Sequence, residues 1–144
     1  MTGPDLALVA KKLALIETCV EELRTLGHPE RIRSDLREER FFEHTLQIAI
    51  QSILDVASHI VSERRLGEPR SNHELVDLLA RHAWIDMDLA STLHQMIGFR
   101  NILVHGYDSV DLSILEEVVR NRLDDLLAFA SAIRRRISHS PGNG

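Results

Sequence analysis

The chain has 144 residues, of which 44% are hydrophobic and 27% are charged, and it carries a net charge of −5 with a pI near 5.9. This balance is typical of one soluble domain that buries its own core, and it argues against a disordered chain or a basic, nonspecific nucleic-acid coat. No apolar stretch is long enough to cross a membrane and the N-terminus does not resemble a signal peptide, so we expect a cytoplasmic protein.

Apolar residues recur at spacings of three and four along most of the chain, beginning with a helix from about Asp5 to Thr25. The stretch that follows, Glu30 to Arg40, is almost entirely charged, and we predict a connector with a partial helical turn there. Within it, Asp35 stands three residues before Glu38, which is the spacing of a capping box. This pair can start the second helix.

The second helix is long and ends near Arg65, ahead of a Gly-Glu-Pro break. Ser71 and Glu74 form another capping box, which opens a short third helix that ends at about His82. Trp84 and the isoleucine after it are expected to form a packed corner.

Asp86 or Asp88 caps a fourth helix, which runs to Gly106, a natural C-terminal stop. Asp111 then caps a last helix that continues to Ile137. Because strand signals and repeats are lacking, the sequence predicts an all-α fold: an up-and-down bundle of about five helices with a short inserted third helix. We expect a single domain over residues 1–137 and a flexible tail over residues 138–144.

The basic residues are divided unevenly, with fifteen arginines and two lysines. Arginine is favoured where planar contact with phosphate or carboxylate matters. A GC-rich coding sequence explains the same bias equally well. The single cysteine, Cys19, falls in the first helical pattern, so we expect a buried free thiol rather than a disulfide.

The most informative segment combines a permanent cation, an amide, an imidazole and the only tyrosine of the chain; it reads Arg100-Asn101-Ile102-Leu103-Val104-His105-Gly106-Tyr107. On a helix Arg100 and Tyr107 share a face, and Asn101 lies close enough to His105 to hold its imidazole. The imidazole can transfer a proton while the guanidinium stabilises charge on phosphorus. This set can therefore bind and cleave a phosphodiester without a metal.

Three apolar residues of the segment, Ile102, Leu103 and Val104, are expected to pack inward and hold the polar groups rigidly. A homodimer that places two copies of this helix end across one cleft would supply two histidines, one as base and one as acid. The alternative interpretation is an ordinary helix end, because Arg and His near a C-terminus complement the helix dipole.

The decapeptide Gly98-Phe99-Arg100-Asn101-Ile102-Leu103-Val104-His105-Gly106-Tyr107 resembles the signature of the HepT-like toxins of the HEPN superfamily, which carry an Arg-x4-His-x-Tyr motif. The similarity continues into the second helix over residues 46–50 and 55–60, the short third helix over 74–85 and the last helix over 121–126. It therefore extends through nearly the whole chain.

This resemblance implies a HEPN-like fold and a dimeric, metal-independent ribonuclease that acts as the toxin of a toxin–antitoxin module. The partner it implies is a minimal nucleotidyltransferase like MntA, which neutralises the toxin by transferring AMP to the motif tyrosine. Carried onto this sequence, Arg100 and His105 would be catalytic, Asn101 supporting and Tyr107 the modified residue. Gly106 departs from the pattern, because relatives often carry a larger residue there.

Other candidate residues give weaker signals. Asp55 and His59 lie one turn apart and either assist in the same cleft or form a hydrogen-bonded core pair. The remaining histidines show no ligand-like clustering with Cys, Asp or Glu, so no structural metal site is predicted. The run of three arginines at 134–136 is expected mainly to complement the helix dipole, with contact to RNA or a partner as the alternative.

Two hypotheses of different classes remain at this point. The first is a toxin ribonuclease that cleaves RNA with Arg100 and His105 in a dimer cleft. The second is a non-catalytic helical module that binds a nucleotidyltransferase or a nucleotide.

Overall fold

The computed structural model describes residues 3–105 and 110–138. Within these ranges the protein is all helical, without strands, which confirms the predicted all-α bundle. The helices, in chain order, are α1 (Gly3–Leu26), α2 (Leu36–Glu63), α3 (Asn72–Arg81), α4 (Met87–His105), α5 (Leu112–Asn121) and α6 (Leu123–Ser138), with a short 3-10 turn at Pro29–Arg31. None of the described helices is long and apolar enough to cross a membrane.

The short polar side chains begin the helices largely as predicted. The Ser71 side chain accepts a hydrogen bond from the Glu74 amide at 3.2 Å, and that of Asp86 accepts one from the Leu89 amide at 2.7 Å. The Asp111 side chain begins α5 in the same way. Each cap supplies an acceptor for an amide that has no partner within its own helix.

The predicted connector over Glu30–Arg40 is wrong in its second half, because α2 already begins at Leu36. The Asp35 side chain caps the helix through the Arg37 amide at 2.9 Å. Glu38 turns back to accept from the His28 amide at 3.0 Å, so it staples α2 to the turn before it instead of closing a capping box. This charged segment therefore forms a helix because two side chains hold its first turn: Asp35 caps it, and Glu38 ties it to the preceding turn.

The predicted last helix is two helices, α5 and α6, which meet at Arg122. The apolar spacing continues through the break, from Val119 to Leu123 and Leu126, so periodicity does not reveal it. Both halves contact α2, but their other neighbours differ: α5 packs against the 3-10 turn, whereas α6 packs against α1 and α4. Arg122 spans the junction, with its guanidinium near Glu117 and Asp125.

The core is one continuous cluster in which Phe42 of α2 and Phe129 of α6 are completely buried. The expected corner is present, since Trp84 and Ile85 are buried between α3 and α4. A Cβ atom at Gly27 would collide with the Phe42 ring, which is a packing reason for glycine at the end of α1. Cys19 is a free, buried thiol, as expected, and its burial raises its pKa.

One carboxyl group of the core, that of Glu43 on α2, is fully shielded from solvent. Arg40 donates to its Oε1 at 3.0 Å, while Oε2 has no hydrogen-bond partner among the described residues. Desolvation, together with the neighbouring Glu39 carboxyl, raises the pKa of Glu43 to about 7 against the opposing effect of Arg40. Folding therefore favours the protonated carboxyl.

We expect this group to make the protein less stable as the pH rises. A carboxyl whose folded pKa exceeds its unfolded pKa stabilises fully at low pH, and that contribution is lost as the pH rises through about 7. Urea unfolding between pH 5 and 8 should show a decline that Glu43→Gln removes, on the order of 3 kcal/mol in the free energy of unfolding.

The control for this measurement is Glu63→Gln, at an exposed position of the same helix. It should keep the decline of the parent protein. An equally steep decline in Glu43→Gln would show that another group causes it.

Candidate functional site at the C-terminal end of α4

Arg100 lies in the last part of α4 with its side chain partly buried against α2. One Nη group donates a hydrogen bond to Oε1 of Gln51. The buried Nε has no acceptor within the part of the chain that is described, and no carboxylate there forms an ion pair with this guanidinium. Among the described residues, Arg100 is thus fixed by a neutral amide and keeps both its charge and unused donors.

Gln51 is itself held by two further residues. Its Nε2 donates to Oδ1 of Asp55 at 2.9 Å, and Nζ of Lys12 donates to the other carboxylate oxygen at 3.0 Å. Sequence reasoning missed Lys12 and Gln51 as residues near the site. The four-residue spacing of Gln51 and Asp55 was an available signal, but nothing local links them to Lys12 on α1 or to Arg100 on α4.

His105 is the last residue of α4 and is exposed, as is Asn101. The expected hydrogen bond between their side chains is not formed in the described structure. Five residues of α-helix correspond to a rotation of about 140°, so Arg100 and His105 point to different sides of the helix end. Arg100 turns toward α2, and His105 turns toward solvent. The predicted positions of Gly106 and Tyr107 lie outside the described residues.

The three apolar residues between Arg100 and His105 do not all pack inward. Leu103 is buried, as predicted, but the prediction is wrong for Ile102 and Val104, which are 38% and 47% exposed. Successive helical residues are rotated by about 100°, so three in a row cannot share one buried face. The end of α4 consequently presents two apolar side chains beside the polar ones.

A histidine cluster lies between α3 and α4, where the sequence predicted none. Nδ1 of His73 lies 2.7 Å from Nδ1 of His94, whose Nε2 lies 2.8 Å from Asp77. The rings also stack, with centroids 4.9 Å apart. No group of three or more His, Cys, Asp or Glu residues in the described ranges has an arrangement that can hold a metal ion.

Arginines of the run at 134–136 make contacts within the protein. Arg134 forms an ion pair with Glu17 that joins α6 to α1, and Arg136 lies 4.9 Å from the centre of the Trp84 ring. Arg64 approaches the same ring at 5.5 Å. These cations brace helices, which adds a role beyond the expected complementation of the helix dipole.

The fold and the Arg-x4-His-x-Tyr sequence at the end of α4 together define a helical bundle of the HEPN toxin class. Residues 16–133 match the sequence profile of the family described as Ribonuclease HepT-like. The chain belongs to the HepT-like ribonuclease family.

Individual relatives agree with this assignment. The mRNA nuclease HepT of Shewanella oneidensis is 30% identical over 128 residues, which cover 88% of this chain and 96% of the relative. The tRNA nuclease HepT of Aphanizomenon flos-aquae is 26% identical over 113 residues, which cover 77% of each chain.

A solved structure of the tri-AMPylated Shewanella oneidensis HEPN toxin in complex with the MNT antitoxin superimposes on this fold with a TM-score of 0.83. The two sequences are 29% identical, and the match covers 89% of this chain and 97% of the toxin chain. The similarity therefore spans the whole helical bundle.

Proposed function

We propose that this protein is the toxin of a toxin–antitoxin pair, a cytoplasmic endoribonuclease that cleaves RNA in a homodimer cleft without a metal. An MntA-like nucleotidyltransferase would neutralise it by transferring AMP to Tyr107. The observation that carries the proposal is Arg100: a partly buried guanidinium held by the Gln51 amide, unneutralised among the described residues, five residues before an exposed histidine. The nuclease and AMPylated-toxin relatives support the same reaction class.

In this mechanism Arg100 binds the scissile phosphate and stabilises the charge that builds on its oxygens as the bond breaks. The imidazole of His105 takes a proton from the ribose 2′-hydroxyl or gives one to the leaving oxygen. Because neither role needs a metal ion, cleavage should persist in EDTA. Asn101, exposed one turn before His105, would orient the imidazole or the RNA once substrate is bound.

A homodimer solves a geometric problem of the single chain. Arg100 and His105 diverge by about 140° around α4, so the two side chains of one helix cannot easily contact the same phosphate. A second copy packed against the exposed Ile102 and Val104 would cover those apolar groups and bring its own His105 toward Arg100. We therefore propose a composite site, with the arginine from one subunit and the histidine from its partner.

Tyr107 follows His105 by two residues, so AMP attached there would carry its phosphates close to the catalytic pair. Phosphate oxygens are strong acceptors for a guanidinium, and their negative charge repels an RNA backbone. Modification would thus occupy Arg100 and exclude substrate by the same interaction.

We expect His105→Ala to abolish growth arrest and to lower RNA cleavage by at least about 100-fold, because general acid–base catalysis is lost. His82→Ala is the matched control, since His82 is also exposed and also stands at the C-terminal end of a helix. Growth and total RNA should be followed after induction. Arrest and RNA fragmentation by His105→Ala would contradict the assignment, and intact RNA with expressed, unmodified wild type would favour a binding module.

The composite site makes a separate prediction. Chains carrying Arg100→Ala and chains carrying His105→Ala are each inactive, but a mixed dimer retains one intact site. Co-expression with two different tags should restore about a quarter of wild-type cleavage, because half of the dimers are mixed and each has one of two sites. If arginine and histidine act within one chain, purified mixed dimers will be inactive.

For the neutralisation step, incubation with ATP and the nucleotidyltransferase should raise the intact mass by increments of AMP. Tyr107→Phe removes the acceptor hydroxyl and should show no gain while remaining toxic in the presence of the antitoxin. A mass increase in that variant would place the modification on another residue.

A further inference from the structure

A row of polar side chains crosses from α1 to the candidate site. It consists of Lys12 on α1 and of Asp55 and Gln51 on α2, and we call it the α1–α2 polar chain. Lys12 donates to Asp55 at 3.0 Å, Asp55 accepts from Gln51 at 2.9 Å, and Gln51 accepts from Arg100. Three helices distant in sequence are thereby joined at one point.

We propose that the α1–α2 polar chain positions Arg100 for phosphate binding while leaving its charge uncompensated. The inference rests on the proposed function and assigns Gln51, Asp55 and Lys12 as positioning residues for the same site. Each member has a distinct part in this arrangement.

Asp55 determines which way the Gln51 amide faces. An ionised carboxylate only accepts hydrogen bonds, so Gln51 must present its Nε2 donor to Asp55. The carbonyl oxygen of the same amide is then directed at Arg100. If Asp55 were lost, the amide could rotate and present a donor to the guanidinium, which has no acceptor atom.

Lys12 balances the charge of Asp55. The ammonium contacts Oδ2 while the glutamine amide contacts Oδ1, so the carboxylate is satisfied by one cation and one neutral donor. Without Lys12 the negative charge of Asp55 would act on Arg100 and on an incoming phosphate through a short distance. The ion pair therefore keeps the neighbourhood of the guanidinium positive.

The contrast with other arginines of the protein shows why a neutral holder matters. Arg33, in the turn before α2, pairs with Glu116 of α5, and Arg134 of α6 pairs with Glu17 of α1. A carboxylate at position 51 would form such a pair with Arg100, and a phosphate would have to displace it. An amide fixes the guanidinium without that competition.

The polar chain also borders a cleft of about 250 Å³ between α1 and α2, which is lined in part by Gln47, one turn before Gln51. Gln47 lies on the same helix and in the same cleft, and no hydrogen bond joins it to Arg100 in the described structure. It provides a control position at which the same substitution changes the net charge equally.

The test compares Gln51→Glu with Gln47→Glu in the full-length protein. Gln51→Glu keeps an acceptor for Arg100 but adds the neutralising charge, so we expect RNA cleavage to fall at least tenfold. The slope of log affinity for RNA against log salt should drop by about one, as for loss of one phosphate contact. Gln47→Glu should leave both quantities near wild type. Equal effects of the two variants would overturn the proposal.

Variants of Lys12 and Asp55 provide a second test, which places no new charge beside Arg100. Asp55→Asn and Lys12→Met should lower kcat more than they raise KM, and Lys12→Arg should restore cleavage by keeping the cation. A loss in Lys12→Met that Lys12→Arg fails to restore, with both variants folded by circular dichroism, would mean that Lys12 contributes packing only.

One measurement is independent of nuclease activity. The Nε–H of Arg100 is buried, so this proton should exchange slowly with water in wild type and in Gln47→Leu. Its NMR signal is assigned by its absence in Arg100→Lys. Gln51→Leu should broaden or shift that signal. A signal unchanged in Gln51→Leu would refute the positioning role even if wild type cleaves RNA. If Gln51→Leu broadens or shifts the signal but the wild type does not cleave RNA, positioning is supported and the nuclease is refuted.

Discussion

Helix α2 is the constraint on which the rest of the structure depends. It is 28 residues long and contacts each of the other five α-helices described, as well as the 3-10 turn. Its buried face runs from Phe42 to Val61 and supplies much of the core. Because α4 packs on the same helix, the position of Arg100 is set by the core rather than by a surface loop.

The same helix carries a second, polar stripe at the edge of that core. Gln51 and Asp55 are one turn apart and lie between Lys12 on α1 and Arg100 on α4. Polar groups are costly to bury singly, but hydrogen bonds between the members of a connected set offset much of that cost. Packing and polar pairing thus specify the same arrangement of α1, α2 and α4.

The parts of this structure that follow from the sequence are those governed by local rules. Ser71 and Asp86 predict the starts of α3 and α4, because each capping side chain accepts a hydrogen bond from an amide only three residues later. The break at Arg122 could not be predicted, since the apolar spacing is unbroken across it and α5 and α6 differ only in tertiary neighbours such as the 3-10 turn and α1. The place of Gln51 and Lys12 near the site could not be predicted for a similar reason, because only the packing of distant helices brings their partners close. The exposure of Ile102 and Val104, in contrast, could have been predicted from the rotation between successive helical residues alone.

An acidic protein that handles RNA must keep positive charge locally available. Much of the cationic surface here is committed to structure: Arg24, Arg33 and Arg134 hold carboxylates on other elements. Arg100 differs because its described partner is an amide, so immobilisation does not cost it its charge. Under the proposed function, this one choice of partner explains both activity and control. In that proposal, a guanidinium that is held but not neutralised would bind a phosphate of RNA, and it would equally bind the phosphate of AMP attached two residues beyond His105. The feature proposed to make the site able to cleave would therefore also make it easy to mask.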